Sequence, residues 1–264
     1  MRADDYFRRA GHEALWLISH ALGVGHSAVY ARNEFTPDEC ARIEALISRR
    51  ENGEPLQYIL GTADFCGRDF SVGPGVLIPR NDTATLIEGV RRLFARDDSF
   101  TFMDWGTGSG CIAITLLLEF PESCGYMLDI STEALKYARE NLERYGLTDR
   151  AEIITEAVSP ELDLLISNPP YIPSGEISGL MREVRDYEPH SALDGGDDGM
   201  KYYREVIALA LGRLRPGGYL VLEAGDMRQA VELEGLGGEF EFSGSVNDGG
   251  NFPRCITLRR HEAT

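Results

Sequence analysis

Two stretches hold side chains of the kinds that do chemistry. The first is "SNPPYIP" at residues 167–173, directly after the apolar run "LDLLI". Asn168 brings a side-chain acceptor and donors. Pro169 and Pro170 lack N–H groups and fix φ, so the chain is stiff there and its carbonyls are not committed to a helix. Tyr171 brings a flat face for stacking against a planar group. Together these four residues make a rigid cradle for a planar group that bears an NH2. The plainer alternative is a proline-rich strand exit with a core tyrosine.

The second stretch is "DWGTGSG" at residues 104–110. Gly106, Gly108 and Gly110 let the backbone turn tightly and approach a ligand closely. The spacing is GxGxG. A dinucleotide fingerprint would need glycine where Cys111 stands, and a phosphate loop would need a GK[ST] ending. A pyrophosphate ligand is therefore disfavoured, and a bare structural turn stays open. Asp129 ends the next apolar stretch, "YMLDI", where an acid can accept both hydroxyls of a ribose. It can equally serve as the acid before a helix at "STEAL". Loop and acid together point to an adenosine-containing ligand without phosphates, and S-adenosylmethionine fits. Asp104 and Thr107 in the loop, and Ile130 beside Asp129, are placed with them as cofactor-binding candidates.

These residues need a scaffold. From about residue 98, strand-like and helix-like runs alternate: "FTFMDWG", "CIAITLLLEF", "CGYMLDI", "STEALKYARENLERYG", "AEIIT", "LDLLIS", "KYYREVIALALGRL", "GGYLVLEAG". Such alternation predicts right-handed βαβ units, a parallel sheet and helices on both faces. The tail, "EFEFSGSVNDGGNFPRCITLRR", reads as two strands that close the sheet with an antiparallel edge. Ligands of open α/β sheets sit beyond the carboxyl ends of the strands. Both candidate stretches lie at such ends.

Residues 1–60 read as all-helical. The segment up to Gly23 is an amphipathic helix rather than a signal peptide. "TPDECARIEALISRR" opens with a capping box, Thr36 with Glu39, and with Pro37 at the first helical position. "FCGRDFSVGPGVLIP" reads as a β-hairpin. The expected division is a helical domain at 1–60, a hairpin linker at 61–80 and a catalytic domain at 81–264.

Composition narrows the function. The 264 residues carry a net charge of −17, which opposes a gripped nucleic-acid backbone. No apolar run approaches the roughly 18 residues of a membrane span. Five cysteines lie scattered without a CxxC or Cys/His cluster. That pattern predicts neither a disulfide scaffold nor a metal site, and favours the cytoplasm.

"NPPY" resembles the [DN]PP[YFW] motif of methyltransferases that modify amide or exocyclic nitrogens. "GEPLQYILGTADFCGRDFSVGPGVLIPR", "DWGTGSGCIAI", "SNPPYIP" and "EVRDYEPHSALDGGDDGMKYYREVI" are together similar to the release factor glutamine methyltransferases. The resemblance covers nearly the whole chain. It implies a Rossmann-like methyltransferase fold, a mostly parallel seven-stranded sheet with an antiparallel edge. It implies S-adenosylmethionine as methyl donor and, as substrate, the glutamine of the Gly-Gly-Gln loop in class 1 peptide chain release factors. The helical front domain would dock that protein.

By the same resemblance, Asn168 and the Pro169 carbonyl hold the glutamine amide, with Pro170 and Tyr171 near it; Asn168, Pro169 and Tyr171 form the catalytic set. Arg80, with Asp82 and Thr83 beyond it, falls at the mouth of the site, although Arg80 also reads as a surface ion pair. Asp104, Gly106, Thr107, Gly108, Gly110, Asp129, Ile130, Glu156, Ala157 and Asn168 would hold the cofactor.

This chain departs from the family pattern at Asn81 and Ala84, where proline and an acid are usual, and at Trp105, where leucine is usual. It departs again at Glu156 and Ala157, where the third strand normally ends in an acid that contacts adenine. Weaker or differently shaped cofactor binding is the expectation. The competing functions are an adenine-N6 nucleic acid methyltransferase and a non-catalytic relative that keeps the fold.

Overall fold

The computed structural model describes residues 3–32, 34–156 and 161–262. Ala157 lies outside them. The chain begins with five helices: α1 (Ala3–Ala10), α2 (Glu13–Leu22), α3 (His26–Tyr30), α4 (Pro37–Glu51) and α5 (Leu56–Leu60). The single amphipathic helix expected up to Gly23 is two helices. Gly11 takes φ 56°, the left-handed region, and breaks the run between α1 and α2. Hydrophobic spacing continues across that break, so periodicity did not reveal it. Tyr6, Leu17, Ile18, Ile43 and Ile47 are fully buried where α1, α2 and α4 meet. The capping box forms: Glu39 N–H donates to Thr36 Oγ1 at 3.3 Å, and Thr36 N–H to Glu39 Oε2 at 3.0 Å.

The hairpin β1 (Thr62–Phe65) and β2 (Arg68–Ser71) follows, turning on Cys66 and Gly67, both at positive φ. Phe65 and Phe70 bury themselves in the core of the main sheet. That sheet contains β3 (Thr101–Trp105), β4 (Cys124–Leu128), β5 (Ala151–Ile154), β6 (Leu162–Ser167), β7 (Leu214–Glu223), β8 (Phe240–Asn247) and β9 (Pro253–Arg260). Its order is β5-β4-β3-β6-β7-β9-β8. The pairings from β5 to β7 are parallel, and those of β9 with β7 and with β8 are antiparallel. This is the predicted seven-stranded sheet with its antiparallel edge.

Helices cover both faces. α6 (Ala84–Arg91), α7 (Cys111–Glu119) and α8 (Thr132–Arg144) lie on one side, α10 (Lys201–Arg213) and α11 (Met227–Glu234) on the other, and the short α9 (Arg182–Tyr187) precedes α10. α6, not identified from sequence, packs Leu86, Ile87 and Val90 inward. Its Gly89 is required by contact: a Cβ there would lie 2.7 Å from Cys255 Sγ. Among the described residues, no helix is long and apolar enough to cross a membrane.

One buried amide ties the hairpin to the glycine loop. Asn141 on α8 is fully buried. It accepts from Ser71 N–H at 2.7 Å and donates to the carbonyls of Ser71 at 3.0 Å and Ser109 at 2.9 Å. Removing that side chain strands three buried backbone groups without partners. Asn141→Ala is expected to lose about 2–4 kcal/mol of stability in urea unfolding. A loss below about 1 kcal/mol would show that the staple is not structural.

Candidate active site

β3 and β6 are neighbours in the sheet although two strands separate them in sequence. The chain therefore winds away in opposite directions from their carboxyl ends, and a crevice opens there. A cavity of about 430 Å³ occupies it. Its walls are the glycine loop after β3, the Asp129 end of β4, the SNPPY turn after β6 and the segment at residues 75–83.

The glycine loop is fixed from below. Gly106 and Thr107 N–H groups both donate to Leu128 O, at 2.8 and 2.9 Å. Gly106, Gly108 and Gly110 all have positive φ. At Gly110 a Cβ would also meet Met127 Cε at 2.6 Å, so the loop sits tightly on β4. Asp104 is wholly buried beneath it. One carboxyl oxygen accepts from Thr107 Oγ1 at 2.7 Å and from Ala113 N–H at 3.2 Å, while Oδ1 has no partner among the described residues. Burial pushes this carboxyl up to about 7, against the pull of those two hydrogen bonds.

Asp129 lines the cavity. Its Oδ1 accepts Ser131 N–H at 2.8 Å and its Oδ2 accepts Gly108 N–H at 2.9 Å. Burial raises it and these backbone donors oppose the rise. The cap of α8 is Ser131, whose side chain accepts from Ala134 N–H, so Asp129 is not needed for that task. Each Asp129 oxygen keeps a lone pair for a further donor. Ile130, 77% exposed, stands beside it as a bare apolar wall. At the neighbouring strand end the wall is Thr155. Glu156 is exposed and does not line the cavity. Trp105 with Tyr202, 5.8 Å apart between ring centroids, and Glu205 and Leu209 of α10 also line it, as do Pro189, Ser191 and Ala192 of the loop before α10.

In the SNPPY turn, Ser167 Oγ donates to Trp105 O at 2.8 Å, locking the exit of β6 to that of β3. Asn168 and Pro170 line the cavity, whereas Pro169 and Tyr171 do not. Asn168 Nδ2 donates to Thr83 Oγ1 at 3.1 Å. The Pro169 carbonyl takes no hydrogen bond among the described residues. The Tyr171 ring packs behind the turn, where a Cβ on Gly225 would lie 2.3 Å from it, and its hydroxyl donates to Glu223 Oε1 at 3.4 Å.

Arg80 lines the cavity and pairs not at the surface but with the buried Glu188, which also accepts Ile78 N–H at 3.1 Å. Thr83 is buried in the cavity wall rather than displayed at a mouth, and it accepts from the Asn168 amide. Sequence spacing gave no sign of that contact, because 85 positions separate the two residues.

The lining residues fit an S-adenosyl group: a carboxylate with spare lone pairs at Asp129, an apolar wall for a flat ring at Ile130, and loop backbone open to close approach. Among the described residues no group of three or more His, Cys, Asp or Glu is placed to hold a metal ion.

Two family models match the chain: the PrmC N-terminal domain over residues 3–61 and the methyltransferase small domain over residues 82–182. A release factor glutamine methyltransferase of Geobacter sulfurreducens is 41% identical over 229 residues, 85% of this chain and 80% of that protein. One of Moorella thermoacetica is 40% identical over 259 residues, 95% of this chain and 91% of that protein. The crystal structure of a methyltransferase from Pyrococcus furiosus shares the fold at 16% identity. Its TM-score is 0.52, and the match covers 82% of this chain and 98% of the other. With its methyltransferase sheet, its helical front and relatives of this closeness along most of its length, the chain belongs to the release factor glutamine methyltransferase family.

Proposed function

We propose that this protein transfers a methyl group from S-adenosylmethionine to the side-chain amide nitrogen of the glutamine in the Gly-Gly-Gln loop of class 1 peptide chain release factors. The observation that carries this reading is the setting of Asn168. Its NH2 is turned onto Thr83, which leaves Oδ1 as the free end of the amide, and the carbonyl of the next residue, Pro169, is uncommitted. Two free acceptors on consecutive residues of a stiff turn suit a primary amide, which has two N–H donors on one nitrogen.

A carboxamide nitrogen is a poor nucleophile because its lone pair is shared with the carbonyl. S-adenosylmethionine, when bound, supplies a methyl on a sulfonium, already a strong electrophile. The protein's task is therefore alignment. Asn168 Oδ1 and the Pro169 carbonyl each take one amide hydrogen, which aims the nitrogen's lone pair across the cavity. The same two oxygens stabilise the positive charge that grows on nitrogen during transfer. No base is required beforehand, because the product is acidic enough to lose its proton to water. Asp129 would take the ribose hydroxyls, Ile130 would flank the adenine, and the backbone of Gly106, Gly108 and Gly110 would accommodate the rest. Arg80, fixed by Glu188, stands at the cavity wall on the substrate side. The helices of residues 3–60 are the docking domain for the release factor in this reading.

The test is methyl transfer to an unmodified class 1 release factor, with the labelled residue located by peptide mass. One methyl on the Gly-Gly-Gln glutamine is the expected result, and label elsewhere or none refutes the reading. Asn168→Ala should lower kcat by about 100-fold or more while cofactor Kd stays within about threefold; equal losses in both would remove Asn168 from the chemistry. Asp129→Ala should do the reverse. Losing two hydrogen bonds to a charged acceptor weakens cofactor binding by about 100-fold in calorimetry, and an unchanged Kd would dismiss the ribose contact.

A further inference from the structure

The SNPPY turn is held at two points, and the candidate cradle lies between them. At the start, Ser167 Oγ is fixed to Trp105 O. Asn168, Pro169 and Pro170 follow, and the proline rings lock φ at two of these three residues. The second fixed point is the Tyr171 carbonyl. It accepts from Gln229 Nε2 at 2.8 Å, across 58 positions of sequence. A short segment pinned at both ends, with two of its φ angles locked, keeps few soft dihedrals. The place of the Tyr171 carbonyl therefore decides where the Asn168 side chain and the Pro169 carbonyl stand.

Gln229 belongs to the first turn of α11 and is 1% exposed. Its backbone is set by the helix cap, since the Asp226 side chain accepts Gln229 N–H at 2.7 Å. Its side chain leaves the helix and uses both ends of the amide. Nε2 donates to Tyr171 O and, at 3.3 Å, to Gly199 O, while Oε1 accepts Gly225 N–H at 3.0 Å. The Tyr203 hydroxyl of α10 lies 3.3 Å from the same Oε1. One orientation of the amide satisfies these partners, because the reverse would set its oxygen against two carbonyls. A single side chain thus joins the turn after β6, the loop before α10 and the exit of β7.

The surroundings are shaped to admit this bond. A Cβ on Gly199 would lie 2.4 Å from Tyr171 O and 2.7 Å from Gln229 Nε2. A Cβ on Gly195 would lie 2.8 Å from Tyr171 Cα. Just beyond, Ile172 N–H donates to Leu193 O at 3.0 Å, and Ile172 O accepts Gly195 N–H at 2.8 Å. A helix that needed only an apolar anchor here would be served by leucine, as it is one turn later at the buried Leu233. A buried amide with both ends committed gives a fixed geometry instead.

We propose that Gln229 is a positioning residue for methyl transfer: by holding the Tyr171 carbonyl it fixes the far end of the SNPPY turn, and so the two acceptors that receive the glutamine amide. This deepens the glutamine-methylation reading and rests on it. Gln229 itself touches neither substrate nor cofactor; it acts through the stiffness of Pro169 and Pro170.

The experiment uses the full chain with Gln229→Leu, Gln229→Glu and Leu233→Ala, each assayed where urea unfolding shows it folded. Gln229→Leu keeps the bulk and removes the amide. Gln229→Glu keeps length, shape and an acceptor for Gly225 N–H but removes both donors, and it carries the test if Gln229→Leu does not fold. Leu233→Ala loosens the same helix without touching the amide. Activity on a class 1 release factor at saturating cofactor is measured beside the 15N spectrum of the Asn168 side-chain NH2, assigned by its loss in Asn168→Ala. Both Gln229 variants should lower kcat about tenfold or more, keep the S-adenosylmethionine Kd within about threefold and move the NH2 resonances. Leu233→Ala should keep kcat within about threefold and leave those resonances in place. Gln229→Glu with wild-type kcat and unmoved resonances would overturn the proposal, because the bond to Gly225 alone would then suffice. Leu233→Ala losing as much kcat as the Gln229 variants would overturn it too, by reducing Gln229 to a support of α11. If wild type methylates no glutamine, the functional reading fails by itself, and the NH2 resonances alone still decide whether Gln229 sets the turn.

Discussion

The parallel pairing of β3 with β6 is the contact on which the site depends. Phe102, Met103 and Asp104 lie in register with Leu164, Leu165 and Ile166. That register ends both strands at one level, so the glycine loop and the SNPPY turn emerge side by side. The Ser167 hydroxyl on the Trp105 carbonyl closes the pair just where the two chains diverge. A slip of one residue would exchange the faces of β6 and send Asn168 away from the loop. Because β6 is buried on both faces almost throughout, its hydrophobic pattern alone does not fix that register; the bonds of Thr101 N–H to Asp163 Oδ2 at 2.7 Å and of Ser167 Oγ to Trp105 O pin it at its two ends.

Around that pairing the protein accumulates buried polar groups that a plain core would not carry. Asp104 and Glu223 each leave one carboxyl oxygen without a partner among the described residues. Both are pushed up to about 7 by burial. For an acid raised above its unfolded value, the stabilising contribution is full below the unfolded pKa and is lost as pH rises through the folded one. Near and above neutral pH these carboxyls therefore work against folding. The cavity is preorganised at some expense of stability, offset by the apolar cores on both faces of the sheet and by the Asn141 staple. Preorganisation is the useful property here, since a methyl donor of this reactivity needs alignment more than activation.

Much of the fold was legible because buried parallel strands read as short apolar runs between amphipathic helices. Gly106, Gly108 and Gly110 were legible because the turn needs positive φ, and the place of Asp129 in the cavity wall because the carboxyl end of its strand faces the crevice. The break at Gly11 was not, since a left-handed glycine leaves the hydrophobic period intact. α6 was not, because its inward face is short and follows an irregular segment. Tyr171 was read as a stacking platform facing the ligand, whereas the missing side chain of Gly225 gives its ring a place behind the turn. The bond between Asn168 and Thr83 was invisible for a different reason: contacts between residues far apart in sequence leave no periodic trace. The departure at Glu156 leaves Thr155 as the cavity wall at that strand end.

The most direct measurement is a crystal structure with S-adenosylhomocysteine and a glutamine-bearing release factor loop. The glutamine amide nitrogen should lie within about 3 Å of both Asn168 Oδ1 and the Pro169 carbonyl, with its remaining face toward the sulfur. A glutamine seated elsewhere, or an Asn168 NH2 pointing at the glutamine carbonyl, would contradict the account.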